Sequence, residues 1–285
     1  MKEADLRISH FNAGALSHGQ VFQFQRSVDV SHKGWYNFRL MPGRGKRQSQ
    51  SMPTRVSDFT PWLGVFETLR VIKGTPLFVP EHRAELARAM EALSLKSTFD
   101  FEESVAALPP QTGRLRWVVT SEATHALFSQ EDLPSPEPVA LSVSPVRVGS
   151  INWDARFKTL SYLSHAQAGR IAPTPEVVLL NEHSFIASAS RANLFWRRGA
   201  HLFTPAHETG CRRGVTRAFV LAHHKAGEGH FPTDDLLKAD EIFFTNSIKG
   251  IVSINKVEDR TLNDFSLADK LRKAYIHAIN AQLKI

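Results

Sequence analysis

Between Glu176 and Val257 the chain carries three apolar strand-and-turn units: EVVLLNEHSFIAS, NLFWRRGAHLFTP and DEIFFTNSIKGIVSINKV. A single helical pattern, GVTRAFVLAHHKAG, stands between the second and the third. This arrangement constrains the fold more than any other feature. Strands and helices are mixed, but without the regular strand–helix alternation of a doubly wound sheet, and no GxGxxG is present. The class that fits is α+β.

The N-terminal half has the same mixed texture. GVFETLRVIKGTPLFV reads as two strands joined by a turn at Lys73-Gly74-Thr75-Pro76. PEHRAELARAMEALSL reads as a helix, with Leu86, Met90 and Leu93 at helical spacing and Pro80 at its start. RLRWVVT and ALSVSPVRV are strand-like, and EDLPSPEP between them is a loop. PGRGKRQSQSMPTR, ahead of all these, is polar, basic and rich in turn formers, which predicts a loop. From Arg156 to Ala172 the chain opens with RFKTLSYL and continues as a helical pattern, and SLADKLRKAYIHAINAQLK closes the chain as an amphipathic helix capped by Ser266. The texture changes near residue 150. The expected division is a smaller N-terminal α/β domain over 1–147, a linker over 148–155 and a larger C-terminal domain over 156–285.

Composition narrows the function classes. The chain has 285 residues, 42% of them hydrophobic, enough for a sizeable core. It has no apolar run of membrane-spanning length, and its first residues lack an apolar signal region, so no membrane partner is expected. One cysteine, Cys211, gives no disulfide framework, which suits a cytoplasmic protein. The net charge of +7 is dispersed apart from GRGKRQ, and no nucleic-acid motif accompanies it, so anionic small molecules are the better partners and no nucleic acid is expected. The 13 histidines form no metal-ligand spacing, so no metal is expected.

Four segments could carry chemistry. Lys158 lies among apolar residues in RFKTLSYL. It is either a lysine snorkelling from a strand end or a partly desolvated amine able to attack an aldehyde. GCRRGVTR precedes a helix whose first amides have no internal partner, which makes a phosphate site beside Thr216. FFTNSIKG places Thr245, Asn246 and Ser247 inside an apolar strand region, either as a strand end or as hydroxyls and amides facing an anion. FIASASRANLFW is a small-residue bend without an acid between apolar flanks.

In order, these pieces resemble the class IV, fold-type IV family of pyridoxal-phosphate enzymes, which contains branched-chain aminotransferases, D-amino-acid aminotransferases and aminodeoxychorismate lyases. GVFETLRVIKGTPLFVPEH is similar to the family's first strand pair and histidine-led helix, and KTLSYL to its cofactor-lysine segment. SASRANLFWRRGAHLFTP resembles the strand turn beside the pyridine ring, with ANLFWRRG nearest the lyase branch. GCRRGVTR and FFTNSIKGIVSI resemble the two phosphate-contacting segments.

The resemblance implies a two-domain fold-type IV enzyme, like D-amino-acid aminotransferase, with pyridoxal 5′-phosphate as cofactor. It implies a homodimer acting on an amino acid and keto acid pair. Lys158 would be the Schiff-base lysine and the acid-base at the substrate α-carbon. Val215, Thr216, Asn246 and Ser247 would hold the phosphate. Tyr162 would approach the ring hydroxyl, and Asn193 would shape the pocket.

There are departures. Ser188 stands where the family's glutamate meets the ring nitrogen, and Glu85 stands where its phosphate arginine follows the helix histidine by three residues. TPWLG, with Pro61, replaces a YGDG-like segment. Ser188 supplies no charge to the ring nitrogen, so transamination weaker than in ordinary members, or a lyase-type elimination, is expected, with a degenerate non-enzymatic member as the rival account. Glu85, if it faces the phosphate, repels it. Arg88, one turn on, lies near Glu85. The basic loop with Arg44, Lys46 and Arg47 either meets a substrate carboxylate or is simply solvated.

Overall fold

The computed structural model describes the backbone of residues 35–38 and residues 63–96, 100–133 and 137–284 in full. Arg44, Lys46, Arg47 and Pro61 lie outside the described residues.

Two sheets organise the chain. The first is antiparallel, in the order β1 (Trp35–Phe38), β5 (Thr124–Gln130), β4 (Gly113–Thr120), β2 (Gly64–Ile72), β3 (Thr75–Pro76). At the turn between β2 and β3, Lys73 and Gly74 both have positive φ, 48° and 81°, the pair of conformations that a tight hairpin with right-twisted strands demands. Burial alternates along β2 and β4 with the period of two that strands impose. Val65, Leu69, Val71, Leu115, Trp117 and Val119 therefore face one side, where helix α1 (Val79–Ala92) covers them with Leu86 and Ala89. Pro80 sits in the first turn of α1, where its missing N–H costs nothing.

The second sheet has nine strands. Its order is β11 (Ala226–Gly229), β10 (His201–Pro205), β9 (Asn193–Arg198), β12 (Glu241–Asn246), β13 (Gly250–Val257), β6 (Val139–Val148), β7 (Glu176–Asn181), β8 (Ile186–Ala189), with β14 (Arg260–Thr261) beside β13. It is mixed, since β6 runs parallel to both β13 and β7. Trp196, Phe195, Phe243 and Phe244 are fully buried, with Phe195 and Phe243 stacked at 5.2 Å. Helix α5 (Val215–His223) and helix α7 (Ser266–Leu283) pack on one face through Val220, Leu271, Tyr275 and Ile279. The class is α+β.

The structure differs from the sequence reading in three places. Strand β6 belongs to the second sheet, as a parallel neighbour of β13 and β7, although it precedes the change of sequence texture near residue 150. Strand β11, AGEG, has no β-forming residue and exists because it adds in parallel to the edge of β10. Ser266 is the first helical residue of α7 and makes no side-chain cap. The cap comes from elsewhere: buried Glu241 accepts the N–H groups of Leu267 and Ala268 at 3.2 and 2.7 Å, and Asp264 accepts that of Ser266 at 3.0 Å. A carboxylate at the positive end of a helix satisfies its free donors and its dipole together. No helix among the described residues is long and apolar enough to cross a membrane.

Candidate active site

Segment 158–160 pairs with the start of β2. Phe66 N–H donates to the Lys158 carbonyl at 2.8 Å, and Leu160 N–H donates to the Gly64 carbonyl at 2.8 Å. Thr159 thus bridges Val65 like a short antiparallel strand. These bonds fix Lys158 beside the start of β2.

A cleft opens there, enclosing about 720 Å³ with its mouth. Lys158, Tyr162, Ser188, Asn193, Val215, Thr216, Asn246 and Ser247, which come from four separate segments, all line it. So do Glu67, Glu85 and Arg88.

The Lys158 amine donates to Glu67 Oε2 at 2.9 Å. The same oxygen lies 2.7 Å from His82 Nδ1. Glu67 is 5% exposed and His82 1%. Burial by itself would raise the Glu67 carboxyl, but the charge of Lys158 and the hydrogen bond from His82 outweigh it and hold the group down at about 2. The carboxylate is therefore ionised at any working pH. The sequence reading passed over Glu67, yet a signal was present: in VFETLRV it is the one polar residue on the Val65–Leu69–Val71 face.

Tyr162 donates its hydroxyl proton to the Ser190 carbonyl at 2.9 Å, so its oxygen remains only an acceptor. Its ring stacks on His165 at 4.8 Å, and the Arg212 guanidinium lies 4.6 Å over the same ring. Arg212 also donates to the carbonyls of Asp154 and Ala155. Burial first, and Arg212 second, push the His165 imidazole down to about 2, so it stays neutral. Asn193 ties down the GCRRG loop, its amide donating to the Arg212 carbonyl at 2.8 Å. That loop must end in glycine. A Cβ on Gly214 would lie 2.2 Å from Asn193 Oδ1.

Gly214 is the residue before α5 and gives no side-chain cap, so the leading amides of this nine-residue helix are free of one where they border the cleft. Asn246 shapes the turn after β12, accepting the N–H groups of Ile248 and Lys249 at 3.1 and 2.7 Å. Two hydroxyls on the cleft are buried without partners among the described residues: Ser188 Oγ, in a residue 4% exposed, and Thr245 Oγ1, in a residue 1% exposed. Buried orphan hydroxyls are costly, and they point to a group that the cleft is built to receive.

Residues 64–257 match the family of class IV amino-transferases. The aminodeoxychorismate lyase of Bacillus subtilis is 28% identical over 229 residues, 69% of this chain and 78% of that protein. Among solved structures, the branched-chain aminotransferase of Thermoproteus uzoniensis, solved with norvaline, superposes with a TM-score of 0.71 at 21% identity, over 80% of this chain and 91% of that one. An aminotransferase from Brucella abortus bound to the cofactor PLP gives 0.69 at 18% identity, over 85% and 98%. These structural likenesses show the fold, and the family match covers more than half of the sequence. The chain belongs to the class IV aminotransferase family of pyridoxal-phosphate enzymes.

Proposed function

We propose that this protein binds pyridoxal 5′-phosphate through Lys158 and transfers the amino group between an amino acid and a keto acid, with Ser188 as the partner of the ring nitrogen. The observation that carries the reading is the Lys158 amine, fixed on a buried ionised carboxylate and facing a cleft that also holds orphan hydroxyls and an uncapped helix end. The residues fit the cofactor's chemistry. An amine suits an aldehyde, free amides with Thr216 and Ser247 suit a phosphate, and a lone hydroxyl suits a ring nitrogen.

When bound, the cofactor supplies an aldehyde and an electron-withdrawing ring that stabilises negative charge at the substrate α-carbon. The protein's own groups do the rest. Lys158 would hold the cofactor at its aldehyde, and its amine would carry the proton at the substrate α-carbon. Glu67, fixed by His82, keeps the Lys158 amine in the cleft. Tyr162 is held on the cleft wall by the Ser190 carbonyl, His165 and Arg212. Asn193 and Gly214 keep the loop before α5 in the shape that leaves its amides free. Exposed Arg156 and Arg191 line the mouth and attract substrate carboxylates.

Ser188 offers a hydrogen bond but no charge, so the ring withdraws electrons less strongly than beside a carboxylate. Slow transamination is the result expected. The similarity to the Bacillus subtilis lyase favours a second reading, an aminodeoxychorismate-lyase-type elimination. We also infer a homodimer and a cytoplasmic setting, supported by the family resemblance and the single buried cysteine.

The test is the visible absorbance of the purified protein incubated with pyridoxal phosphate, with Lys158→Ala alongside. A band that borohydride fixes to Lys158 in the wild type, absent in the variant, supports the reading. Keto-acid acceptor assays against aminodeoxychorismate turnover then separate transfer from elimination. An identical spectrum in wild type and variant sinks the enzyme reading and leaves a scaffold reused without its chemistry.

A further inference from the structure

Glu85 stands one helical turn before Arg88 on the cleft side of α1, and the two side chains pair directly. Both are half-buried. The pairing leaves Arg88 incompletely satisfied, because its Nε is buried without a partner. Arg213, from the loop before α5, lines the same cleft; burial first, and the charge of Arg213 second, push the Arg88 guanidinium below its ordinary value, against an upward pull from Glu67. Two arginines gathered on one wall repel each other unless an anion lies with them. Facing them on the same cleft are the uncapped amides of α5 and the unpartnered Thr245 hydroxyl. Every donor at this end of the cleft suits the same ligand, a compact anion with several oxygens.

We propose that Arg88, with Arg213 beside it, is the cation of the phosphate end of the cleft, and that Glu85 is an internal stand-in that a bound phosphoryl group displaces from Arg88. The inference rests on the reading that the cleft holds a phosphorylated cofactor. It accounts for an acid set among the donors of the cleft wall. In the free protein Glu85 keeps a half-buried guanidinium paired and in place. When the phosphoryl group arrives, Arg88 exchanges one carboxylate for a better acceptor, and Glu85 turns to solvent. The carboxylate is thus a built-in competitor, and it sets retention of the phosphorylated ligand below what Arg88 alone would give.

The experiment compares the affinity of the apoprotein for pyridoxal phosphate and for pyridoxal, which shares the aldehyde and ring but lacks the phosphate. Arg88→Ala should cut the preference for the phosphorylated ligand by about tenfold or more, the size of a lost charge-assisted hydrogen bond. Glu85→Gln should raise the preference by about threefold or more, since it removes a competing charge and leaves the helix intact. In an Arg88→Ala background Glu85→Gln should lose that gain. The stabilisation of the apoprotein by inorganic phosphate, read as the rise in Tm, should shrink in Arg88→Ala and grow in Glu85→Gln. Equal loss of both ligands in Arg88→Ala, or no gain in Glu85→Gln, overturns the inference and leaves the cofactor reading standing. Uptake of neither ligand by the wild type overturns that reading and the inference together.

Discussion

The two ends of the cleft are built on opposite principles. At the Lys158 end the charges are complete: one carboxylate oxygen of Glu67 takes both the Lys158 amine and the His82 ring within 2.9 Å, all held on the backbone bonds between β2 and segment 158–160. At the Ser188 and Thr245 end two hydroxyls are buried with nothing to bond to among the described residues. The first end is satisfied as it stands. The second carries a desolvation cost that a ligand would offset. The difference teaches which part of a binding site the fold can satisfy by itself, and which part it leaves open at a cost in stability.

The comparison can be broken by conservative substitutions that remove one charge or hydroxyl and little volume. The largest effect is expected for Glu67→Gln. It strips the charge from a buried pair and leaves Lys158 and His82 only a neutral amide oxygen in place of their shared carboxylate, so stability should fall by about 3 kcal/mol in urea denaturation. Turnover should fall by about 10²-fold. Adding Lys158→Met should restore part of the stability and none of the turnover. A double variant no more stable than Glu67→Gln would show that the pair does not act as a unit.

The acid limb of the stability curve gives the second test. The Glu67 carboxyl is lower in the folded protein than in the unfolded chain, so its contribution is present above about 4.5 and is lost as pH falls from there toward about 2. Wild-type stability should drop steeply across that window, and Glu67→Gln should flatten the drop. Neutral His165 adds a loss that starts higher, below about 6.5, where the unfolded chain gains a proton that the folded one refuses.

Gly214→Ala tests the border between the two ends. Its Cβ would meet Asn193 Oδ1 at 2.2 Å, so the loop must shift. A loss of about 1–3 kcal/mol in stability is expected, with weaker uptake of pyridoxal phosphate measured by the same absorbance band. The smallest effect, and one of opposite sign, is expected at the open end. Thr245→Val and Ser188→Ala remove orphan hydroxyls, so the apoprotein should be unchanged or stabilised by up to about 1 kcal/mol. The loaded protein should release its ligand a few-fold faster. Destabilisation of the apoprotein by either change would show that these hydroxyls already have partners, and the contrast between the ends would fail.

Much of this architecture was legible in the sequence because it is encoded locally. Pro80 marks the start of α1, the Lys73–Gly74 turn joins its strands, and GCRRGVTR places a free helix end. Lys158, Tyr162, Ser188, Asn193, Val215, Thr216, Asn246 and Ser247 line one cleft. Other features had no local signature. AGEG is a strand only because β10 offers it an edge. VALSVSPVRV reads equally well as a strand of either sheet, and its parallel partners β7 and β13 decide the matter. Glu241 caps a helix that begins 25 residues later in the chain, a contact that no spacing rule anticipates.

The sequence by itself determined where backbone donors run out, where the chain must turn, and which residue types stand at those places. These follow from periods, glycines and prolines within a few residues of one another. Only the tertiary structure decided the charges. It brought Glu67 to Lys158 across 91 positions, and it set Arg213 on the same cleft as the Glu85–Arg88 pair. The reason is physical: the free energy of a charge depends on its burial and on partners within a few ångströms, and those are properties of how two sheets pack, not of the order of residues along the chain.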